Sequence, residues 1–287
     1  MKRTWAMLLV MGLLVVGCDG GTGEETTVPT TVAPASTMAV TTTEAPTTAE
    51  TPATTTSAPS VWDVVALGDS YVAGTGVEGP QQGLAGAYAR LLSEPLGVET
   101  DLHAYTNYET VADWSQGLAG SRAMQDQIAA AEVVIVWLGY HNVLWDLWGE
   151  TCGTDWPEPL RTCLVEATAT MPADYDALLG TIEGLVSDEA IVMIGNQALG
   201  PPEIERWGNE PFWPELKAVA YDGWAAGIAS AAAAHGAILV DSASWLSGPA
   251  GNQLLRREYL QSDGLHFTKA GYEALAQLFL AADGLGD

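Results

Sequence analysis

The sequence predicts an α/β domain in which a mainly parallel, five-stranded sheet lies between two layers of helices. Two observations carry this. Short, continuous apolar runs such as Val64–Leu67 and Val133–Leu138 recur along residues 61–287, and strands buried on both faces read that way. Between them lie longer stretches whose apolar residues recur at helical spacing. Strand–helix alternation of this kind gives a parallel sheet covered on both sides. Right-handed crossovers then bring every strand's carboxyl end to one edge, where ligands bind.

The domain begins late in the chain. Lys2 and Arg3 precede an apolar stretch, Ala6–Val16, too short to span a bilayer comfortably and shaped like a signal peptide. It ends in Leu14-Val15-Val16-Gly17-Cys18, which resembles a bacterial lipobox. Residues 1–18 are therefore expected to be a lipoprotein signal peptide, with Cys18 carrying lipid at the outer face of the membrane. The alternative is an ordinary signal peptide with an incidental cysteine, which gives a secreted protein. Residues 19–60 are dominated by Thr, Ala and Pro, with almost no large apolar residue. They cannot bury enough surface to offset their ordering entropy, so they are expected to form a disordered spacer. Their Thr, Ser and Pro content would also suit O-glycosylation.

Residues 61–287 are then the folded domain, and a chain that is 48% hydrophobic has enough apolar side chains for a sizeable core. The 36 acidic residues outnumber 10 basic ones, for a net charge of −26. Such a field repels phosphate backbones and anionic lipid, so nucleic acid is excluded as a partner and membrane contact is left to the lipid anchor. A monomer is expected. Of the three cysteines, Cys152 and Cys163 remain once Cys18 is assigned. In an exported chain an even pair implies a disulfide, here closing a short loop; a zinc site is disfavoured because no histidine stands nearby.

Taken in order, the first strand stops abruptly at Gly68-Asp69-Ser70-Tyr71. A helix follows over Gly83–Leu96, ended by Pro95 and Gly97, then a strand over Val98–Thr106. Residues 111–131 read as a helix in two pieces around Gly117–Gly120, followed by the strongest strand, Val133–Leu138. A helix at Pro172–Val186, a strand at Ala190–Gly195, a helix at Pro214–His235, a strand at Ala237–Val240 and a helix at Thr268–Ala282 complete the pattern. Two long segments, Tyr140–Met171 and Gln197–Trp213, read as loops over the carboxyl edge. They hold Trp145, Trp148, Trp156, Trp207 and Trp213, which either bind substrate or pack the loops onto the domain.

Ser70, just past a buried strand, is held rigidly yet faces the ligand edge, as a nucleophile must. The blander reading is that Asp69 or Ser70 caps the next helix. Near the C-terminus stands Asp263-Gly264-Leu265-His266, just before the last helix and at the same edge. A neutral imidazole can take a serine's proton, and a carboxylate can fix its tautomer. The sequence Gly74-Thr75-Gly76-Val77-Glu78-Gly79 spells a dinucleotide fingerprint, but Pro80 follows it and it opens no helix directly after a strand.

These two blocks resemble those of the GDSL (SGNH) serine hydrolases. Gly68-Asp69-Ser70-Tyr71 is similar to the family's first block and Asp263-Gly264-Leu265-His266 to its last, and the order of elements fits from about Val61 to Ala282. The resemblance implies a three-layer α/β/α sandwich with a mainly parallel, flavodoxin-like five-stranded sheet. It implies Ser70 as nucleophile, His266 as base and acid, Asp263 as its orienter, and no metal or organic cofactor. The N–H of Ser70 is expected to serve the oxyanion hole. The middle blocks depart from the family pattern. Tyr108 stands where the family has an oxyanion glycine, so its N–H remains, although a positive φ there would be strained. Gly139-Tyr140-His141-Asn142 replaces Gly-x-Asn-Asp, so either His141 or Asn142 is the side-chain oxyanion donor, with Asn142 favoured. The function implied is an exported ester hydrolase acting on O-acetyl or other short acyl esters of a carbohydrate or lipid. The rival is a glycan-binding surface protein that kept the fold and lost turnover.

Overall fold

The computed structural model describes residues 60–147, 149, 151–197 and 200–285. The segment expected to be a signal peptide, Cys18 and nearly all of the expected spacer lie outside the described residues. Five strands, β1 (Val61–Gly68), β2 (Glu99–Thr106), β3 (Val133–Trp137), β4 (Ile191–Gly195) and β5 (Ile238–Val240), pair side by side in the order β2-β1-β3-β4-β5. Every pairing is parallel.

The helices are α1 (Ser70–Ala73), α2 (Leu84–Leu96), α3 (Val111–Gly120), α4 (Arg122–Ala130), α5 (Tyr140–Leu147), α6 (Leu160–Thr168), α7 (Met171–Glu183), α8 (Pro201–Trp207), α9 (Trp213–Lys217), α10 (Gly223–Ala234), α11 (Ser242–Ser247) and α12 (Lys269–Asp283). Alternation along the strands sorts them into two layers. Val64, Ala66, Val133 and Ile135 pack with Leu84, Tyr88 and Leu92 of α2 and with Tyr272, Leu275 and Phe279 of α12. Val65, Leu67, Val134 and Val136 pack with Val111 and Leu118 of α3, Tyr175 and Leu179 of α7, and Trp224 and Ile228 of α10. All of these side chains are fully or almost fully buried. The observed architecture is the three-layer α/β/α sandwich expected, with a sheet that is parallel throughout.

The structure refines the sequence reading in three places. The segments expected as long loops carry α5, α6 and α8, whose short apolar faces, such as Val143 with Leu144 and Leu160 with Leu164, are buried. The helix expected over 214–235 is present as one uninterrupted run, α9, a π-helical turn at Ala218–Asp222, and α10. Pro95 does not end α2 but sits in its last turn, which Gly97 closes at φ 62°. Thr268 caps α12 as expected, its hydroxyl accepting from the N–H of Gly271 at 3.2 Å. Cys152 and Cys163 are disulfide-bonded.

One histidine joins two helices far from the ligand edge. His235 ends α10 and bonds to α7 through both ring nitrogens, Nδ1 to Glu183 Oε2 at 2.8 Å and Nε2 to Asp176 Oδ1 at 3.1 Å. The bond to Glu183 outweighs desolvation and, with Asp176, raises the imidazole above its ordinary pKa. A histidine that folding holds protonated contributes stability that is complete below about 6.5 and is lost as pH rises through the folded value. His235→Gln is therefore expected to be less stable than wild type near pH 5.5, with the gap closing at about pH 9. Urea unfolding of both proteins at the two pH values checks this.

Candidate active site

The site begins where β1 turns. A Cβ on Gly68 would lie 2.3 Å from Val72 Cγ2 and 2.9 Å from the Trp137 carbonyl, so only glycine lets the chain turn here. Asp69 then caps α1, its Oδ1 accepting from the N–H of Tyr71 at 3.2 Å. Ser70 is the first residue of that helix. Asp69 is buried, and loss of water pushes its carboxyl up to about 6, although donors from Tyr71 and Gln197 pull it back down. The Gln197 carboxamide, just after β4, donates to Asp69 Oδ2 at 3.2 Å and accepts from the N–H of Tyr140 at 3.0 Å. The Tyr140 hydroxyl donates in turn to Glu203 Oε2 of α8 at 2.9 Å.

The second half of the site is the turn before α12. Asp263 Oδ1 accepts from the N–H groups of Leu265 and His266 at 2.9 and 3.0 Å, and Oδ2 pairs with His266 Nδ1 at 2.8 Å. Burial raises the Asp263 carboxyl, but the bond from His266 and the two backbone donors outweigh it, leaving a carboxylate below the usual range. With Nδ1–H donating to that carboxylate, Nε2 is the ring's acceptor and can take a proton from a hydroxyl. Tyr71 ties this turn to the first one. Its hydroxyl donates to the Leu265 carbonyl at 3.1 Å, and its ring lies 6.1 Å from that of His266 and 5.4 Å from that of Phe267. Ser70 and His266 line one open cavity of about 400 Å³ with Thr75, Tyr108, Tyr140, His141, Leu144 and Leu265.

The far wall of this cavity differs from the sequence reading. His141 lines it, and burial lowers its imidazole pKa, which favours the neutral ring. Asn142, favoured by the sequence as the donor, is not among the lining residues. Adjacent residues on a helix project about 100° apart, and Asn142 faces α3 instead, its Oδ1 accepting from the N–H of Val111 at 3.1 Å. Tyr108 has no positive φ, so the strain anticipated there is absent. Its own N–H donates to Asn107 Oδ1 at 2.7 Å, while its ring meets His141 edge-on at 5.2 Å.

The tryptophans divide. Trp207 and Trp213 are buried in the core on the α3–α7–α10 side, and Arg206 lies over the Trp207 ring. Their faces are used in packing, which corrects the expectation that they meet a ligand. Trp156 stacks on Phe212 at 5.8 Å. Trp148 and the side chain of Trp145 lie outside the described residues. The sequence reading missed Gln197, Tyr140 and Glu203, whose only signal was a place at the carboxyl edge. At the opposite end of β1, Asp63, Asp101 and His103 bring three metal-capable atoms within 4.8 Å of one another, with His103 Nε2 lying 3.7 Å from Asp63 Oδ1 and 3.8 Å from Asp101 Oδ2.

Residues 66–274 match the model of the GDSL-like Lipase/Acylhydrolase family, and the chain belongs to that family. Solved structures share its fold. A lipase from a goat rumen metagenome has a TM-score of 0.61 at 21% identity, covering 78% of this chain and 98% of that one. A phospholipase A1 from Streptomyces albidoflavus gives 0.53 at 18%, over 77% and 99%. A lipase/acylhydrolase from Enterococcus faecalis gives 0.52 at 19%, over 77% and 94%. At these identities the likeness is one of fold. No curated protein matches the chain.

The raised carboxyl of Asp69 has a thermodynamic signature. Because the folded state holds this proton more tightly than the unfolded chain, stability falls as pH rises from about 4 through about 6. A shift from 3.8 to about 6 corresponds to on the order of 3 kcal/mol. Asp69→Asn is expected to remove that component. Its unfolding free energy relative to wild type should rise by about this amount between pH 4 and pH 7.5, as read by denaturant unfolding across the range.

Proposed function

We propose that the protein is an exported serine ester hydrolase that works through an acyl-serine intermediate. The observation that carries this is the meeting of Ser70 and the 2.8 Å Asp263–His266 pair on one open cavity. Ser70 Oγ attacks the ester carbonyl while His266 Nε2 takes its proton. Asp263 holds the imidazole in the required tautomer and stabilises the imidazolium that forms. The imidazolium then protonates the departing alcohol, and a water activated by the same nitrogen releases the acid.

The negative charge that develops on the carbonyl oxygen needs donors in the cavity wall. The N–H of Ser70 supplies one, and a ring N–H of neutral His141 supplies the second. Membership of the cavity wall favours His141 over Asn142, which is committed to α3. The Tyr108 N–H is already held by Asn107, so His141 takes the larger share.

A cavity of about 400 Å³ with Leu144, Leu265 and Tyr108 on its walls suits a short acyl group with an alcohol portion extending to solvent. We assign the substrate class as O-acetyl or other short acyl esters of a carbohydrate or lipid. The signal-like N-terminus, Cys18 and the long Thr/Ala/Pro spacer support a lipid-anchored position outside the membrane.

Hydrolysis of p-nitrophenyl acetate tests the reading. Ser70→Ala is expected to lower kcat by about 10³-fold or more. His141→Ala should lower kcat by about 10²-fold with KM nearly unchanged, and His141→Asn should recover part of the loss. Binding of an acylated glycan without Ser70-dependent turnover would instead favour a binding protein.

A further inference from the structure

We infer that Gln197 is the positioning residue that sets the distance between nucleophile and oxyanion donor, an inference that rests on the reading given under Proposed function. Its carboxamide joins two backbone turns. The amide group donates to Asp69, the residue before Ser70, and the carbonyl accepts from the N–H of Tyr140, the residue before His141. Ser70 and His141 are thus each one residue from an end of the same side chain. Asp69, Gln197 and Tyr140 are all less than 5% exposed, so these bonds are shielded from bulk solvent.

The orientation of this carboxamide is fixed by its partners. A carboxylate only accepts and a backbone N–H only donates, so the amide nitrogen must face Asp69 and the oxygen must face Tyr140. Among uncharged side chains of this length, glutamine alone offers both groups in one plane. Behind it, the Tyr140 hydroxyl is held by buried Glu203. A Cβ on Gly200 would lie 2.5 Å from that hydroxyl and 2.6 Å from Glu203 Oε2, so glycine permits the close approach of α8. The start of α5 is thereby fixed from two sides, by Gln197 at its backbone and by Glu203 at its first side chain.

A group that acts by placing an oxyanion donor affects the transition state and leaves substrate binding alone. Gln197→Met, which keeps the length and loses both bonds, should lower kcat by about 10–100-fold with KM within about twofold of wild type. Gln197→Glu provides a readout that simple packing would not move. Its ionised carboxylate would oppose Asp69 and cannot donate, whereas the protonated acid can donate to Asp69 and accept from Tyr140. Its kcat as a fraction of wild type, measured at each pH, should therefore rise as pH falls. The groups facing this site are Asp69, Tyr71, Tyr140, Glu203 and, through the field at Asp69, His266. Dividing by wild type cancels only what the substitution leaves alone. Asp69, which loses the Gln197 donor, and the new carboxyl at position 197 titrate as one pair, and that pair is what the ratio reads.

Both variants are assayed in the full chain with p-nitrophenyl acetate, with circular dichroism confirming the fold. An unchanged kcat in Gln197→Met overturns the inference, as does a loss confined to KM. If Gln197→Met does not fold, Gln197→Glu decides: a flat ratio to wild type across pH overturns the inference, and a ratio rising toward acid supports it. Wild-type turnover that survives Ser70→Ala would overturn the functional reading itself. Turnover that requires Ser70 but ignores Gln197 would overturn only the inference drawn here.

Discussion

The buried carboxyl of Asp69 is the constraint on which the site's geometry depends. Removing a carboxyl from water is costly, and the cost is offset only when donors converge on its oxygens. Here they come from the N–H of Tyr71 and the carboxamide of Gln197. Supplying the second donor requires the residue after β4 to reach the turn after β1, across the intervening strand β3. Gln197, once committed, needs a donor for its own oxygen and finds it at the start of α5. Satisfying one buried acid therefore aligns three segments that the backbone alone brings only to the same edge.

Tyr71 performs the matching task on the other side. Its ring fills the space between Trp137, Phe267 and Tyr272, and its hydroxyl reaches the Leu265 carbonyl inside the Asp263–His266 turn. The residues flanking Ser70 thus hold the rest of the site, Asp69 toward the start of α5 through Gln197 and Tyr71 toward His266. Ser70 needs no special backbone of its own, since no non-glycine among the described residues has a positive φ.

Much of this was legible in the sequence, for identifiable reasons. Strands buried on both faces leave continuous apolar runs, so β1 and β3 could be read directly, and Thr268 marked the start of α12 by its capping chemistry. Ser70, Asp263 and His266 could be placed at one edge because parallel topology allows few alternatives. Which of His141 and Asn142 faces the cavity was not legible, because that depends on the rotation of α5 about its axis. That rotation is fixed by contacts such as Asn142 with Val111, which the sequence does not order. The Gln197 network joins residues 57 and 128 positions apart and leaves no local pattern. Trp207 and Trp213 misled because the segment holding them was taken as loop, whereas α8 and α9 turn both rings inward. The π-helical turn at Ala218–Asp222 adjoins an alanine-rich helix whose composition gives no clear amphipathic register.

The central claim is that Ser70 is a nucleophile activated by His266. Mass spectrometry of the protein after reaction with a fluorophosphonate tests it most directly. The account predicts a single phosphonyl adduct on the peptide containing Ser70, formed in wild type and much more slowly in His266→Ala. An adduct on another residue, or none from a protein that hydrolyses the ester, would contradict it.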